Sequence, residues 1–147
     1  MSLWDWTLRT YERPGVPEAC LGLQDEHGLN TSLLLWAAWA DPDDAALAGA
    51  VAAGKAWDEQ VLWPLRRVRR DLKRAMGGIA DDARLALRED VKAAELQAER
   101  VLMEGFEALA GQAAAPVEFM ATLRRAALAW SGSAPEEALA QLVAALA

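Results

Sequence analysis

The densest run of apolar residues lies between Asn30 and Ala40, where the chain reads NTSLLLWAAWA. At ~100° per residue, its leucines and tryptophans point in nearly every direction, so a helix formed here needs cover on all sides. The eight unbroken apolar residues from Leu33 to Ala40 are far fewer than the ~20 that cross a bilayer. The pattern therefore predicts a central helix, at about residues 31–40, that other helices surround.

Caps, prolines and glycines divide the rest of the chain into further helices. Ser2 is a typical N-cap, with Asp5 three residues later as in a capping box. Proline removes a backbone donor and crowds the preceding turn, so a break or kink is predicted near Pro64. The predicted helices are Ser2 to Tyr11, Pro17 to His27 before a Gly28 cap, the central helix, a segment from the Asp41 cap to Gly54, Lys55 to Met76, Asp81 to about Ala110 with or without an interruption near Asp90, Pro116 to Trp130, and a last helix from Ser133 or Ala134.

The apolar spacing of the first two helices predicts which faces turn inward. The inward stripe of the first helix contains Trp4, Leu8 and Tyr11, with Trp6 almost opposite. The inward stripe of the second helix contains Cys20, Leu23, Gln24 and His27. The whole pattern predicts an all-α fold, a single irregular or orthogonal bundle of six to eight helices that forms one domain over residues 1–147.

Composition and charge narrow the class of protein. Charged residues make up 25% of the chain and the mean hydropathy is +0.02, which is typical of a folded protein rather than a disordered one. The net charge of −7 argues against nucleic acid, whose phosphates need a basic surface. The N-terminus has no basic region followed by an apolar core, and no transmembrane segment is present, so we expect a cytoplasmic protein.

The sequence predicts no catalytic residues, no metal site and no cofactor. Cys20 is the only cysteine and His27 the only histidine, which excludes a disulfide within the chain and metal sites that need several such ligands. In a helix these two residues are separated by ~10.5 Å along the axis, too far for a thiol–imidazole pair. Phosphate-binding glycine loops and nucleophile elbows are absent. We therefore lean towards a protein without enzymatic activity.

The first candidate site is a line of polar residues beside the central helix. Such groups could converge in an otherwise apolar ligand pocket with flat indole walls. The candidate pocket residues are Gln24, His27, Asn30, Trp4, Trp36 and Trp39. A structural role explains the same residues, because His27 can bond the last carbonyls of its helix, Asn30 can cap the next helix and Gln24 can satisfy the loop between them.

The second candidate site is a basic helix face. Six of the fifteen basic residues fall within nine positions and could bind an acidic partner. The candidate face contains Arg66, Arg67, Arg69, Arg70, Lys73 and Arg74, opposite Leu65, Val68, Leu72 and Met76. No aromatic residue interleaves the arginines for base stacking, which weakens a nucleic-acid role. Alternatively, these cations neutralise acids of the chain itself, such as Glu89, Glu95 and Glu99.

Seven tryptophans are many for a chain of this length. Most of them are expected in the core, because alanine-rich helices need large side chains to fill the space between them. Any exposed tryptophan would mark a partner surface. Trp6 and then Trp57 are the predicted exposed ones.

Several motifs resemble those of a known family. LWDW (Leu3 to Trp6), PGVPEACLGLQDEHGLN (Pro14 to Asn30) and LLLW (Leu33 to Trp36) are similar to the N-terminal signature of a proteobacterial conserved-hypothetical family, catalogued as a domain of unknown function. The similarity continues through WPLRRVRRDLK (Trp63 to Lys73) and AELQAER (Ala94 to Arg100). The resemblance implies a single small helical domain and implies nothing about chemistry.

Two hypotheses of function follow. In the first, the protein is a non-enzymatic interaction or regulatory module that binds an acidic or apolar protein partner through the basic face or an exposed tryptophan. In the second, it binds a small apolar ligand or cofactor, conceivably as an enzyme, in a tryptophan-lined pocket near His27. The sequence does not predict an oligomeric state.

Overall fold

In the computed structural model, which describes residues 1–147, the chain forms eight α-helices and no strand. Their bounds are α1 Leu3–Tyr11, α2 Val16–His27, α3 Thr31–Ala40, α4 Asp44–Trp57, α5 Trp63–Asp71, α6 Asp81–Leu109, α7 Phe119–Ser131 and α8 Glu136–Leu146, with a π-helical stretch, Asp58–Leu62, between α4 and α5. The predicted all-α bundle of six to eight helices is confirmed. No helix has the length and apolar character that crossing a membrane requires.

Helix α3 is the centre of the bundle. Every residue from Ser32 to Ala40 is buried, as its apolar character on all sides predicts. The core contains 28 buried residues, contributed by every α-helix except α5. Within it, the rings of Trp36 and Phe106 lie 5.4 Å apart, and Trp36 Nε1 donates to the Ala110 carbonyl at 3.0 Å. The buried indole therefore packs against α6 and keeps its hydrogen bond.

Side-chain caps fix several helix starts. Ser2 accepts a hydrogen bond from the Asp5 amide, and Asn30 caps α3, both as predicted. Asp41 does not cap α4; it ends α3 in a left-handed conformation, and Asp43 accepts from the Ala46 amide instead. Aspartates at several positions of this turn are suitable caps. Because Asp41 ends α3, Asp43 is the one that caps α4.

Other predicted boundaries moved by a few residues. Helix α5 ends at Asp71 rather than Met76, and α7 begins at Phe119 rather than Pro116 because Glu118 caps it. Helix α6 runs from Asp81 without interruption at Asp90. Boundary errors of this size are expected where local signals compete with packing.

The inward face of α1 differs from the prediction by one position. Its buried residues are Leu3, Thr7 and Thr10, whereas Leu8 is 46% exposed and Tyr11 38% exposed. The spacing is that of the predicted stripe, rotated by ~100°. Because Thr7 and Thr10 are polar, the face that is buried is less apolar than the predicted face of Trp4, Leu8 and Tyr11.

The break predicted near Pro64 takes the form of the π-helical stretch. Helix α4, this stretch and α5 form one continuous rod, and Pro64 lies in the first turn of α5. A first-turn proline needs no backbone donor. Asp58, the first residue of this stretch, follows the buried Leu47, Ala50 and Gly54 of α4 at helical spacing, and only 5% of it is exposed.

Helix α5 and the first half of α6 form a hairpin that lies outside the core. We call residues 63–94 the arm. Arg84 is its only buried residue, and α5 packs chiefly against α6. The contacts that hold the arm together are polar: Arg84 Nε donates to the Leu72 carbonyl at 3.0 Å, and Arg88 Nε donates to the Arg69 carbonyl at 3.2 Å. The arm therefore contributes little apolar burial to the fold.

The core position of Trp36 generates the first prediction. Replacing Trp36 by alanine should lower the free energy of unfolding by about 3–5 kcal/mol, because it removes a fully buried indole and leaves a cavity. The matched control is Trp63→Ala, which removes an indole that is 56% exposed and should change stability by about 0.5 kcal/mol or less. Urea unfolding followed by circular dichroism measures both. Equal losses in the two variants would contradict the placement of Trp36.

Candidate functional site

A polar cavity lies beneath the arm. It has a volume of about 350 Å³, at the lower end of the range of small-ligand sites. The end of α2, the start of α3, the π-helical stretch, α5 and α6 all contribute to its wall. The residues that matter for its chemistry are Gln24, Asp25, Asn30, Asp58, Trp63, Arg66, Arg70 and Glu99.

Asn30 joins the central helix to the cavity. Its Oδ1 accepts a hydrogen bond from the Leu33 amide at 2.9 Å, and this contact caps α3. Its Nδ2 donates to both carboxylate oxygens of Asp58, at 3.2 Å each. One buried amide therefore fixes the start of α3 and the orientation of the Asp58 carboxylate.

Asp58 is a buried carboxylate without a close cation. Burial raises its pKa above the ordinary value, while the hydrogen bond from Asn30 and the positive charge of Arg66 oppose the rise. No guanidinium or ammonium nitrogen lies within 4.0 Å of it. Charged groups this buried are expensive unless they are paired. The cavity therefore keeps an acidic group in an unfavourable setting.

The arginine nearest to Asp58 is already engaged. The Arg66 guanidinium lies 3.8 Å from the Glu99 carboxylate of α6. Burial raises the pKa of Glu99, and Arg66 lowers it in opposition. Further along, Arg69 Nε lies 3.0 Å from the Glu95 carboxylate. These two ion pairs hold α5 against α6.

The six basic residues of the predicted face therefore divide into two groups. Arg66 and Arg69 pair with acids of α6, as the alternative interpretation of the sequence anticipated; Glu89 pairs instead with Lys92 at 3.3 Å. The other four are exposed and have no carboxylate within 4.0 Å. We call this second group the outer basic face; it consists of Arg67, Arg70, Lys73 and Arg74.

The structure does not assemble the predicted tryptophan-lined pocket. Gln24 and Asn30 do line a common cavity, but His27 is exposed and lies in a separate groove beside the start of α8. Trp36 and Trp39 are buried in the core, and Trp4 is half-buried at its edge. His27 is the last residue of α2, so its side chain lies beyond the turn that packs towards α3.

Four of these cavity residues were not candidate site residues in the sequence analysis: Asp25, Asp58, Trp63 and Glu99. Glu99 was named there only as an acid that the basic face neutralises. Trp63 is the exposed tryptophan at the cavity rim, whereas the predicted Trp6 and Trp57 are half-buried. The Trp57 indole donates to the Ala98 carbonyl at 2.9 Å. The only signal for Trp63 was its position before Pro64 at the start of the basic helix.

Cys20 does not line the polar cavity. It is buried, and burial raises the pKa of its thiol to about 11. Burial also raises the pKa of the neighbouring Tyr11 hydroxyl. A thiol held in its protonated form is a poor nucleophile, and the only histidine is exposed on another face.

The buried carboxylate generates a prediction about pH. Asp58→Asn should raise the melting temperature at neutral pH by a few degrees, because it removes a charge whose burial is unfavourable while an oxygen remains to accept from Asn30. Burial raises the folded-state pKa of Asp58 above its ordinary value of 3.8. The buried charge therefore destabilises the fold fully above that raised pKa, and the destabilisation fades as the pH falls from there to the unfolded-state pKa. The gain should therefore shrink as the pH falls towards about 4.

Scanning calorimetry of the parent and the variant at several pH values measures this difference. Arg66 and Glu99 face this position, so the variant loses an attraction to Arg66 and a repulsion from Glu99 together with the cost of burying the charge. Asp25→Asn is the control, since Asp25 is exposed at the rim of the same cavity. A loss of stability at neutral pH in Asp58→Asn would contradict the assignment of an unfavourable buried charge.

Comparison with known proteins gives one match. The family described as "Protein of unknown function (DUF2390)" matches residues 2–106, which include α1 to α5, most of α6, the arm and every residue of the cavity. No curated protein and no solved structure matches the chain. The resemblance to a domain of unknown function is confirmed, and the chain belongs to the DUF2390 family of proteins of unknown function.

Proposed function

We propose that this protein is a non-enzymatic, cytoplasmic interaction module that binds an acidic segment of a protein partner through the outer basic face. The observation that carries the proposal is the division of the arginines. Arg66 and Arg69 pair with α6, whereas the four residues of the outer basic face have no acid within 4.0 Å in a chain of net charge −7.

The outer basic face is not needed for folding. Helix α5 buries no residue, and the contacts that hold it involve Arg66, Arg69 and its backbone carbonyls. Four neighbouring cations repel one another, and exposed charge of this kind is typical of electrostatic docking. Binding to a partner therefore explains the four cations of the outer basic face better than a contribution to the stability of the fold does.

Exposed apolar side chains accompany these cations on the arm. Trp63 is 56% exposed, and Val68, Met76 and Ile79 are also exposed. Protein interfaces are enriched in tryptophan, methionine and arginine, and a few such residues supply most of the binding energy. The combination favours a protein partner with acidic residues around an apolar anchor.

Nucleic acid fits this surface less well. A total charge of −7 opposes the approach of a polyanion. Single-stranded nucleic acid also needs a row of aromatic residues for stacking, and Trp63 is the only exposed tryptophan on the arm. An acidic protein segment requires only local charge complementarity.

The arrangement of the core supports a further proposal, that the whole chain acts as one domain. Residues from α1, α2, α7 and α8 all pack with α3 in the same buried cluster. The arm is the only long segment outside it. We therefore propose that the arm is displayed by one folded unit.

Charge reversal tests the proposed surface. Arg67→Glu, Lys73→Glu and Arg74→Glu together should reduce affinity for the partner by at least tenfold, because they replace attraction by repulsion without touching the ion pairs to α6. The matched control reverses Arg9, Lys55 and Arg100, which are exposed outside the arm, and it gives the same net charge.

Partners are identified by cross-linking with mass spectrometry, and purified partner is then titrated against the parent and both variants. The proposal expects a loss only in the arm variant and a steep salt dependence in the parent. Equal binding by all three proteins would refute it. Capture that disappears on nuclease treatment would refute the proposal of a protein partner and indicate that the bound molecule is a nucleic acid.

A further inference from the structure

The wall of the polar cavity contains charged side chains that have no ion-pair partner within the protein. Its wall carries three carboxylates, from Asp25, Asp58 and Glu99, and two guanidinium groups, from Arg66 and Arg70. Arg66 faces Glu99 at 3.8 Å, so Asp58 is left with the neutral amide of Asn30 as its hydrogen-bond partner. Arg70, at the rim, has no acid within 4.0 Å. Two negative charges, on the buried Asp58 and the exposed Asp25, and one positive charge, on Arg70, therefore remain without an ion pair.

Folding alone does not explain this arrangement. Asn30 caps α3 through Oδ1 and needs no acid on Nδ2 for that role. Asp58 is the first residue of the π-helical stretch, and single π turns within helices occur frequently at functional sites. A buried charge, a local irregularity of the helix and a cavity coincide at one residue, which is typical of a binding site.

We infer that this cavity binds a basic amino acid, lysine or arginine, with the cationic end of the ligand side chain on Asp58 and the ligand α-carboxylate at Arg70. The wall has a net charge of −1 and the ligand a net charge of +1. Each ligand charge then meets an opposite one, because Glu99 or Asp25 faces the α-ammonium group. This inference goes beyond the proposed partner surface. The two sites meet at Arg70, whereas Arg67, Lys73 and Arg74 lie outside the cavity wall.

The spacing of the charged residues selects a long ligand. Asp58 and Arg70 are twelve residues apart on one helical rod, about 18 Å along the axis at 1.5 Å per residue. Their side chains shorten the gap, but a zwitterion the size of glycine cannot contact both. An extended ligand with a charge at each end can. Trp63 at the rim offers an indole face to its aliphatic chain or its cation.

Isothermal titration and tryptophan fluorescence of the full chain test this inference with defined probes. Arginine and lysine carry both ends, agmatine and cadaverine lack the carboxylate, and norleucine lacks the cationic end. Lysine or arginine should bind at micromolar to millimolar concentration and quench or shift the fluorescence of Trp63. Agmatine and cadaverine should bind at least tenfold more weakly, and norleucine should not bind.

Variants separate this site from the proposed partner surface. Asp58→Asn should lose binding by at least tenfold while remaining folded, since its stability is expected to rise. Arg67→Glu is the control, because Arg67 lies outside the cavity wall and its variant should bind the ligand like the parent. Absence of binding by both basic amino acids at millimolar concentration would overturn the inference. So would undiminished binding by Asp58→Asn, or equal affinity for lysine and norleucine.

Discussion

The complete burial of helix α3 is the constraint on which the rest of the structure depends. A helix with apolar side chains on every face has no side that can meet water, so other helices must enclose it. Residues from Ser32 to Ala40 are all buried, and six of the other seven helices contribute residues to the surrounding core. The caps at Asn30 and Asp41 are placed where this helix enters and leaves the core.

The same constraint leaves the arm outside. Once α6 has packed its second half against the core, through Ala98, Leu102 and Phe106, its first half extends beyond the bundle. Helix α5 packs against that half through arginine–carbonyl contacts and against the middle of α6 through ion pairs to Glu95 and Glu99. The arm is therefore held mainly by polar contacts beside an apolar core, and the cavity lies where the arm and the core meet.

Sequence reasoning predicted the features that depend on local signals. The central helix follows from a run of apolar residues, and the caps at Ser2 and Asn30 follow from side chains that bond to nearby backbone. The register of α1 was wrong by one position, because the buried Thr7 and Thr10 carry little apolar signal. The hydrophobic pattern therefore predicted which segments are helical more accurately than which face of each helix is buried.

The candidate site was predictable only in part, for a physical reason. Gln24, Asn30, Arg66 and Arg70 were each singled out from the sequence, but as members of two separate sites. The cavity that joins them depends on how the α4–α5 rod crosses α3 and α6, which is a tertiary property. The π-helical stretch that begins at Asp58 has no signal in the residue pattern. The pairing of Arg69 with Glu95 was one of two interpretations that the sequence left open, and the structure decides between them.

Hydrogen exchange measured by mass spectrometry tests the division into core and arm most directly. Amides of α3 should exchange only through global unfolding, because they are enclosed on all sides. Amides of residues 63–94 should exchange through much smaller openings, since polar contacts with little apolar burial hold the arm. Protection of the arm as strong as that of α3, or rapid exchange within α3, would contradict this account of the structure.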